Sequence, residues 1–176
     1  MTNYWINRSV SCIHECIYDD SQEFTLFLGQ TLGEDKYSLV GWSDGGITSL
    51  IIAAANPLNV QKLVVFGANA YISAEDKRLI REIQDLNKWH PKARQVYADV
   101  YGADTFAKLW ESFVEYYCKM DDICRDDLKA IKQSTLILHG DLDPLVAKEH
   151  PKYLLDNISD STLHRFPKGR HNIFPR

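Results

Sequence analysis

Four short apolar runs alternate with helical patterns along this chain, and each run ends at Gly or just before Pro. They occupy residues 36–41, 62–67, 134–140 and 161–166, with the sequences KYSLVG, KLVVFG, STLILHG and STLHRF. Such alternation is typical of βα units that build a largely parallel sheet, and not of a β-sandwich or a helical bundle. The sequence therefore predicts an α/β fold in which helices flank a parallel sheet.

The segment between the second and third runs has a different character. From about residue 69 to 133 strands disappear, charge rises, and aromatic residues recur at helical spacing, which indicates a helical insertion. A helix is expected to open at Ser73, because in SAED the serine hydroxyl can accept from the backbone amide near Asp76. We divide the chain into an N-terminal segment (1–35), core (36–69), insertion (70–132) and core (133–176).

The opening of the chain is less regular. Residues 1–20 show no sustained period, and no structure is predicted for them. The stretch EFTLFLGQTLGED fits a helix with four apolar residues on one side, namely Phe24, Phe27, Leu28 and Leu32.

Composition excludes several classes of partner. The net charge is −4 and no basic run occurs, so there is no electrostatic footprint for nucleic acid or an anionic membrane surface. The longest apolar stretch, 47–55, is far shorter than the ~20 residues of a membrane span. The N-terminus carries no readable targeting signal. We expect an intracellular protein with no nucleic-acid or membrane partner.

The cysteines indicate neither a disulfide framework nor a metal site. Cys12, Cys16, Cys118 and Cys124 are few and scattered, so free thiols are expected. Cys12, His14 and Cys16 are three possible zinc ligands, but their spacing matches no common structural site and no fourth ligand is apparent. We expect no metal and no cofactor.

Ser43 lies in the stretch GWSDGG, directly after the first strand and directly before a helix expected over 44–55. A G-x-S-x-G pattern in this strand-turn-helix context is the nucleophile elbow of α/β-hydrolases. The turn is expected to leave no room for side chains at Gly41 and Gly45 and to lift the Ser43 hydroxyl above the sheet. The alternative is a Gly-rich turn that only packs tightly. The flanking strand and apolar helix favour a nucleophile.

A serine nucleophile needs a base, and the base needs an acid that holds it. LILHGDLDPLV is a strand that runs into a turn with Asp141 and Asp143, of which we choose Asp143, although acids before Pro are commonly turn residues. His171 follows the last strand and a Gly-containing turn. Ser43, Asp143 and His171 all follow strand ends, where open α/β sheets place their sites. The other histidines are His139 and His164 within strands, His90 and His150 in polar helical surroundings, and His14 near the start.

Four stretches together resemble one family: YSLVGWSDGGITSLIIAAANP, KLVVFGANAYISAED, LILHGDLDPLV and PKGRHN. They are similar to the biphenyl hydrolase-like, or valacyclovir hydrolase, branch of the α/β-hydrolases, from about residue 24 to the end. The resemblance implies the C-terminal half of that fold, with residues 70–132 as a helical lid. It also implies a serine hydrolase of α-amino acid esters, with Ser43 as nucleophile, His171 as base and then acid, and Asp143 holding the imidazole.

The resemblance gives Asp44 a role as well. In this branch the acid after the nucleophile binds the α-ammonium group of the substrate, and the backbone amide of the same residue faces the oxyanion. A carboxylate beside the acyl site would select a cationic amine. The alternative is that Asp44 only stabilises the first turn of its helix through the dipole.

The fold normally has strands before the elbow and a loop that supplies a second oxyanion donor, and we find neither upstream of Ser43. Loss of one such donor typically lowers turnover about 10² to 10³-fold, and strand 37–40 would be an edge open to self-association. Two alternatives to the ester hydrolase follow. One is a catalytically impaired, truncated isoform or fragment that acts by binding. The other is an esterase or C–C bond hydrolase with unrelated preference, against which Asp44 argues.

Overall fold

A computed structural model describes residues 21–25, 27, 33 and 35–173. The strands are β1 (Tyr37–Trp42), β2 (Val60–Phe66), β3 (Ser134–Gly140) and β4 (Ser161–Phe166). They form one sheet in the order β1-β2-β3-β4, and every neighbouring pair is parallel. The predicted α/β fold is confirmed, and the two C-terminal strands have the predicted bounds. The first strand begins one residue later than predicted, and the second begins two residues earlier.

The described helices fill the connections between strands. Helix α1 (Asp44–Ala55) links β1 to β2 and has the predicted bounds. The connection from β2 to β3 contains α2 (Ala74–Glu82), α3 (Pro91–Tyr101) and α4 (Ala103–Tyr117), with 3-10 turns at Leu86–Lys88 and Asp126–Ala130. Helix α5 (His150–Asn157) links β3 to β4. Residues 21–25 and 27 are also helical. In the described ranges no helix is long and apolar enough to cross a membrane.

The core lies on the face of the sheet that α1 covers. Helix α1 is apolar almost all round, and Leu50 at its centre is completely buried, which favours folding by roughly 1.5–3 kcal/mol for a side chain of this type. Alternate strand residues point to opposite faces, so Leu39 is buried whereas its neighbour Val40 is 73% exposed. The core includes Leu39, Ile47, Leu50, Ile51, Ile52, Leu63, Val65, Ile137, Leu154 and Ile158.

The aromatic residues of the insertion pack mainly against one another. The Trp89 ring makes edge contacts with Tyr97, Phe106 and Trp110, and Tyr97 stacks on Phe106 with centroids 4.8 Å apart. The indoles of Trp89 and Trp110 both donate to the Ile83 carbonyl oxygen, at 2.7 and 3.3 Å. The aromatic periodicity of the sequence therefore reflects a small core within the insertion.

Two local predictions concern the insertion and the opening of the chain. The capping box at Ser73 is confirmed: Ser73 Oγ accepts from the Asp76 amide at 3.1 Å, and Asp76 Oδ2 accepts from the Ser73 amide at 2.7 Å. In the predicted N-terminal helix Phe24 and Phe27 are exposed. Other predicted features lie outside the described residues, namely Leu28, Leu32, Cys12, His14 and Cys16.

Candidate active site

Ser43 occupies a strained turn between β1 and α1. Its φ is 53° and its ψ −125°, and it is the only described residue other than glycine with a positive φ. Such backbone conformations cost of order 1–3 kcal/mol and persist only where surrounding contacts impose them. Here the Ser43 amide donates to the Phe66 carbonyl at 3.0 Å, and the Ser43 carbonyl accepts from the amides of Gly46 and Ile47 at 2.8 and 3.0 Å. These bonds hold the turn between the end of β2 and the start of α1.

Close backbone approach at this turn involves Gly41 and Gly46. A Cβ on Gly41 would lie 2.3 Å from the Gly45 carbonyl oxygen, and a Cβ on Gly46 would lie 2.9 Å from Cβ of Ala68. A Cβ on Gly45 would meet no heavy atom within 4 Å. The expectation for Gly41 is met, whereas the expectation for Gly45 is wrong. The physical reason is that Gly46 faces the chain beyond β2 while Gly45 is exposed to solvent.

The structure brings Ser43, Asp143 and His171 together in one hydrogen-bonded chain. His171 Nε2 lies 3.0 Å from Ser43 Oγ, and His171 Nδ1 lies 2.8 Å from Asp143 Oδ2. Because an ionised carboxylate can only accept, Nδ1 carries the proton in the neutral ring, and Nε2 accepts from the serine hydroxyl. This arrangement is the one that a serine nucleophile needs for a base and an orienting acid.

Asp143 is fixed by its own loop. Its side chain is almost completely buried, and Oδ1 accepts from the amides of Leu145 and Val146 at 2.8 and 3.0 Å, which leaves Oδ2 directed at His171. The rejected candidate Asp141 instead accepts from Arg165 Nε at 2.6 Å. Of the described histidines not chosen, His139 and His150 are buried and His90 and His164 are exposed.

Two residues that the sequence analysis did not single out contact His171. Gly67, with a φ of +59°, lies so close that a Cβ there would be 3.1 Å from His171 Cε1. Trp42 Nε1 donates to the main-chain oxygen of His171 at 2.9 Å. Their signals in the sequence are a Gly directly after a strand and a Trp directly before the elbow serine, and neither signal indicates a contact with a residue as distant in the chain as His171.

Asp44 is the first residue of α1 and follows Ser43 directly. Asp44 is exposed to solvent, although nearby protein atoms still desolvate its carboxyl in part. Desolvation raises the pKa of its carboxyl, and the charge of His171 acts in the opposite direction. Burial also raises the pKa of Tyr117 at the end of α4, and the carboxylates of Asp76 and Asp44 add to that effect. The end of α4 is therefore close enough to Asp44 to interact with its charge.

A second carboxylate-histidine pair joins α2 to the start of α5. Asp76 and His150 are both completely buried, with Oδ2 and Nε2 2.5 Å apart. His150, expected in polar helical surroundings, does begin a helix, but it is buried against this carboxylate. Asp76 Oδ1 also accepts from the Ala147 amide at 2.8 Å. Burial alone raises the pKa of Asp76, but His150 and the amides of Ser73 and Ala147 outweigh it and leave that pKa lowered. The pair ties α2 to the segment that leads from Asp143 into α5.

The chain is similar to known proteins of one family. A sequence profile described as the alpha/beta hydrolase fold matches residues 6–133, and the chain belongs to that family. Within it, the chain is 44% identical over 146 residues to serine hydrolase BPHL of Mus musculus, and 40% identical to serine hydrolase BPHL of Homo sapiens. Each match covers 80% of this chain and 50% of the relative, so the chain spans about half the length of these proteins. The resemblance to the biphenyl hydrolase-like branch is confirmed.

Solved structures share the fold at lower identity. MGS-M2, an alpha/beta hydrolase enzyme from a Medee basin deep-sea metagenome library, has a TM-score of 0.65 and 22% identity, covering 85% of this chain and 63% of its own. The esterase EaEST of Exiguobacterium antarcticum has a TM-score of 0.64 and 24% identity, covering 89% of this chain and 68% of its own. Both support the α/β-hydrolase fold.

Proposed function

We propose that this chain carries a serine hydrolase site that cleaves esters of α-amino acids through an acyl-enzyme. The observation that carries the proposal is the hydrogen-bonded chain from Ser43 Oγ through the His171 ring to Asp143 Oδ2, with distances of 3.0 and 2.8 Å. Similarity to proteins named serine hydrolase BPHL supports the same class of reaction.

In the proposed reaction, Ser43 Oγ attacks the ester carbonyl carbon while His171 Nε2 takes the hydroxyl proton. The Asp143 carboxylate stabilises the imidazolium and keeps Nδ1 turned toward itself. The C–O bond to the alcohol then breaks, and His171 Nε2 returns the proton to the leaving oxygen. Water repeats the sequence on the acyl-enzyme, which releases the amino acid and restores the Ser43 hydroxyl.

The negative oxygen of the tetrahedral intermediate needs hydrogen-bond donors. The backbone N–H of Asp44 is suited to this role, because the first amides of a helix have no intrahelical acceptor and the helix dipole favours negative charge there. The residue after the nucleophile is also the one that donates in this fold.

For substrate choice, we assign the Asp44 side chain to the α-ammonium group. Its carboxylate is adjacent to the nucleophile, reached by solvent and crowded by protein, so a cationic amine next to the scissile carbonyl would meet a charge that water screens only in part. An esterase of unrelated preference would gain nothing from a carboxylate in this place.

The test compares an aminoacyl ester with its N-acetylated form, on the wild-type chain and on Asp44→Asn. The wild type is expected to favour the free amine in kcat/KM by at least tenfold, and Asp44→Asn to lose that preference while it still hydrolyses the acetylated ester. Ser43→Ala should hydrolyse neither. Equal kcat/KM for both esters in the wild type would contradict the substrate assignment and favour the esterase alternative.

A second proposed role is self-association through β1. Among the strands that the structure describes, β1 is outermost and pairs only with β2, and an open strand edge can pair with another chain. Sedimentation velocity over a range of concentrations tests this role. The wild type should associate, and Ser38→Pro, which removes a backbone donor from β1, should weaken the association. Monomeric wild type at every concentration would rule it out.

A further inference from the structure

The end of β1, which directly precedes Ser43, also contacts His171. Trp42 is the last residue of β1, and its indole Nε1 donates to the main-chain oxygen of His171 at 2.9 Å. The Trp42 and His171 rings lie with centroids 5.3 Å apart and planes at 46°. One side chain therefore contacts both the main chain and the ring of His171.

The loop that follows β4, residues 167–171, is also held by contacts at residues before His171. The Gly169 amide donates to the Phe166 oxygen at 2.9 Å, and the Leu142 amide donates to the Gly169 oxygen at 2.8 Å. The loop also passes directly over Gly140, where a Cβ would lie 2.4 Å from the Arg170 oxygen. These contacts fasten the loop to the end of β3 as far as residue 170. The Trp42 bond acts on the next residue, which is His171 itself.

Resting on the proposed hydrolase function, we propose that Trp42 is a positioning residue that fixes His171 against Ser43. The indole N–H of Trp42 fixes the position of the His171 main chain, and the indole ring limits the movement of the imidazole. Because Ser43 follows Trp42 directly, the end of β1 then determines the positions of both Ser43 and His171, the two partners of the proton transfer. A 1 Å misplacement can lower an enzymatic rate about 10²-fold.

The hydrogen bond between Ser43 and His171 is insufficient for this purpose during turnover. Once Ser43 Oγ has bonded to the acyl carbon, it no longer holds a proton for Nε2, and the imidazolium must stay in place to protonate the leaving oxygen. Asp143 holds the ring by a single hydrogen bond at Nδ1, which restrains the ring but still allows it to tilt. Gly67 lies close to Cε1 and Nδ1, and the Trp42 ring adds a contact with the imidazole that limits this tilt throughout the reaction.

Two substitutions separate the hydrogen bond from the ring contact. Trp42→Phe keeps an aromatic ring and removes the donor. Replacement of Trp42 by 3-benzothienylalanine keeps the size and shape of the indole and removes only the N–H. The matched control is Val40→Thr, on the same strand and the same face, since Val40 is 73% exposed. Thermal unfolding of each variant identifies a temperature at which all chains are folded.

The readouts are the rate constant of Ser43 labelling by a fluorophosphonate and the low-field NMR resonance of the proton between His171 Nδ1 and Asp143. Both Trp42 variants should label about three- to tenfold more slowly, as expected for one lost hydrogen bond, and the resonance should broaden because the ring is less restrained. Trp42→Phe should be the slower of the two. Val40→Thr should match the wild type in both readouts.

Failure of this inference is distinguishable from failure of the proposed function. A folded wild-type chain that does not label would overturn the proposed function and the role of Trp42 with it. If the wild-type chain labels at Ser43, and both Trp42 variants label at the wild-type rate with an unchanged resonance, only the role of Trp42 is overturned. Equal slowing in Val40→Thr would also overturn it, because the effect would then belong to β1 in general.

Discussion

Gly67 and His171 approach each other so closely that a Cβ on Gly67 would lie 3.1 Å from Cε1 and 3.2 Å from Nδ1 of the imidazole. The φ of Gly67 is +59°, a region that side chains disfavour. Gly67 follows β2, so the missing side chain at the end of this strand leaves the space that His171 occupies between Asp143 and Ser43.

Gly67→Ala should therefore impair the site and the fold together. The left-handed conformation costs a residue with a Cβ about 1–2 kcal/mol, and the new methyl group would press on the edge of the imidazole. We expect a lower unfolding midpoint in denaturant and slower Ser43 labelling at temperatures where the variant is folded. Labelling at the wild-type rate would show that the imidazole can move aside without loss.

The glycines around Ser43 give a matched pair of substitutions. Gly41→Ala would place Cβ against backbone atoms of Gly45, which cannot yield without displacing the start of α1. Gly45→Ala meets open space and replaces a helical Gly, which is worth roughly 0.5–1 kcal/mol in favour of the variant. Chemical denaturation of both variants tests this contrast. Equal destabilisation by the two changes would contradict the geometry of the turn.

At pH values where its carboxyl is ionised, Asp44 should lower the free energy of unfolding. Because its pKa is raised in the folded chain, the folded state binds its proton more tightly than the unfolded state does. Stability from this group is then full below the unfolded pKa of about 3.9 and is lost as pH rises through the raised pKa. Asp44→Asn should unfold at a higher temperature than wild type at neutral pH, and the difference should vanish near pH 3. A constant difference at all pH values would contradict the raised pKa.

The same titration should appear in substrate choice. As pH falls through the raised pKa of Asp44, the carboxylate is protonated, and the attraction that we propose between it and an α-ammonium group would be lost. The ratio of kcat/KM for an aminoacyl ester to that for its N-acetylated form should therefore fall at a higher pH than an ordinary aspartate would give. Taking the ratio removes any effect of pH that is common to the two substrates. In Asp44→Asn the ratio should not change over this acidic range.

For the buried pair of Asp76 and His150, the expected dependence of stability on pH is opposite to that for Asp44. The folded pKa of Asp76 is lowered, so its contribution to stability is present above about pH 3.9 and is lost as pH falls through the folded pKa. Asp76→Asn should lower the free energy of unfolding at neutral pH by about 2 kcal/mol, the magnitude of a hydrogen bond to a charged group. It should also make the free energy of unfolding depend less on pH in the acidic range.

The control for Asp76 is Asp156→Asn, which removes an exposed partner of Lys152 on α5. Exposed pairs of this kind contribute little, so the control should behave as the wild type throughout. A pH dependence in the acidic range that persists unchanged in Asp76→Asn would show that another group is responsible for it.

Local patterns were enough to predict much of this fold from sequence. Helix α1 has the predicted bounds because an apolar run with a Gly-rich start and an Asn-Pro end signals both of its termini. Ser43 was found from the nucleophile-elbow pattern, and Asp143 and His171 were chosen because open α/β sheets place their sites at the C-terminal ends of strands. The first two strands shifted by one or two residues, since their ends depend on pairing with neighbours.

The features that sequence reasoning missed depend on contacts between distant parts of the chain. Trp42 and His171 are 129 residues apart, and Asp76 and His150 are 74 residues apart, so no local pattern connects either pair. The error at Gly45 has a similar origin. Whether Gly45 or Gly46 meets a neighbour depends on how α1 leaves the turn relative to the end of β2, which the five-residue pattern does not specify.

Covalent labelling of the purified chain by a fluorophosphonate, read by intact mass, tests the hydrolase site most directly. An activated serine attacks this reagent, whereas an ordinary serine hydroxyl does not react appreciably. We expect one adduct per chain in the wild type and none in Ser43→Ala. A soluble, folded wild-type chain that takes up no label, or a Ser43→Ala chain that labels equally, would contradict a catalytic role for Ser43.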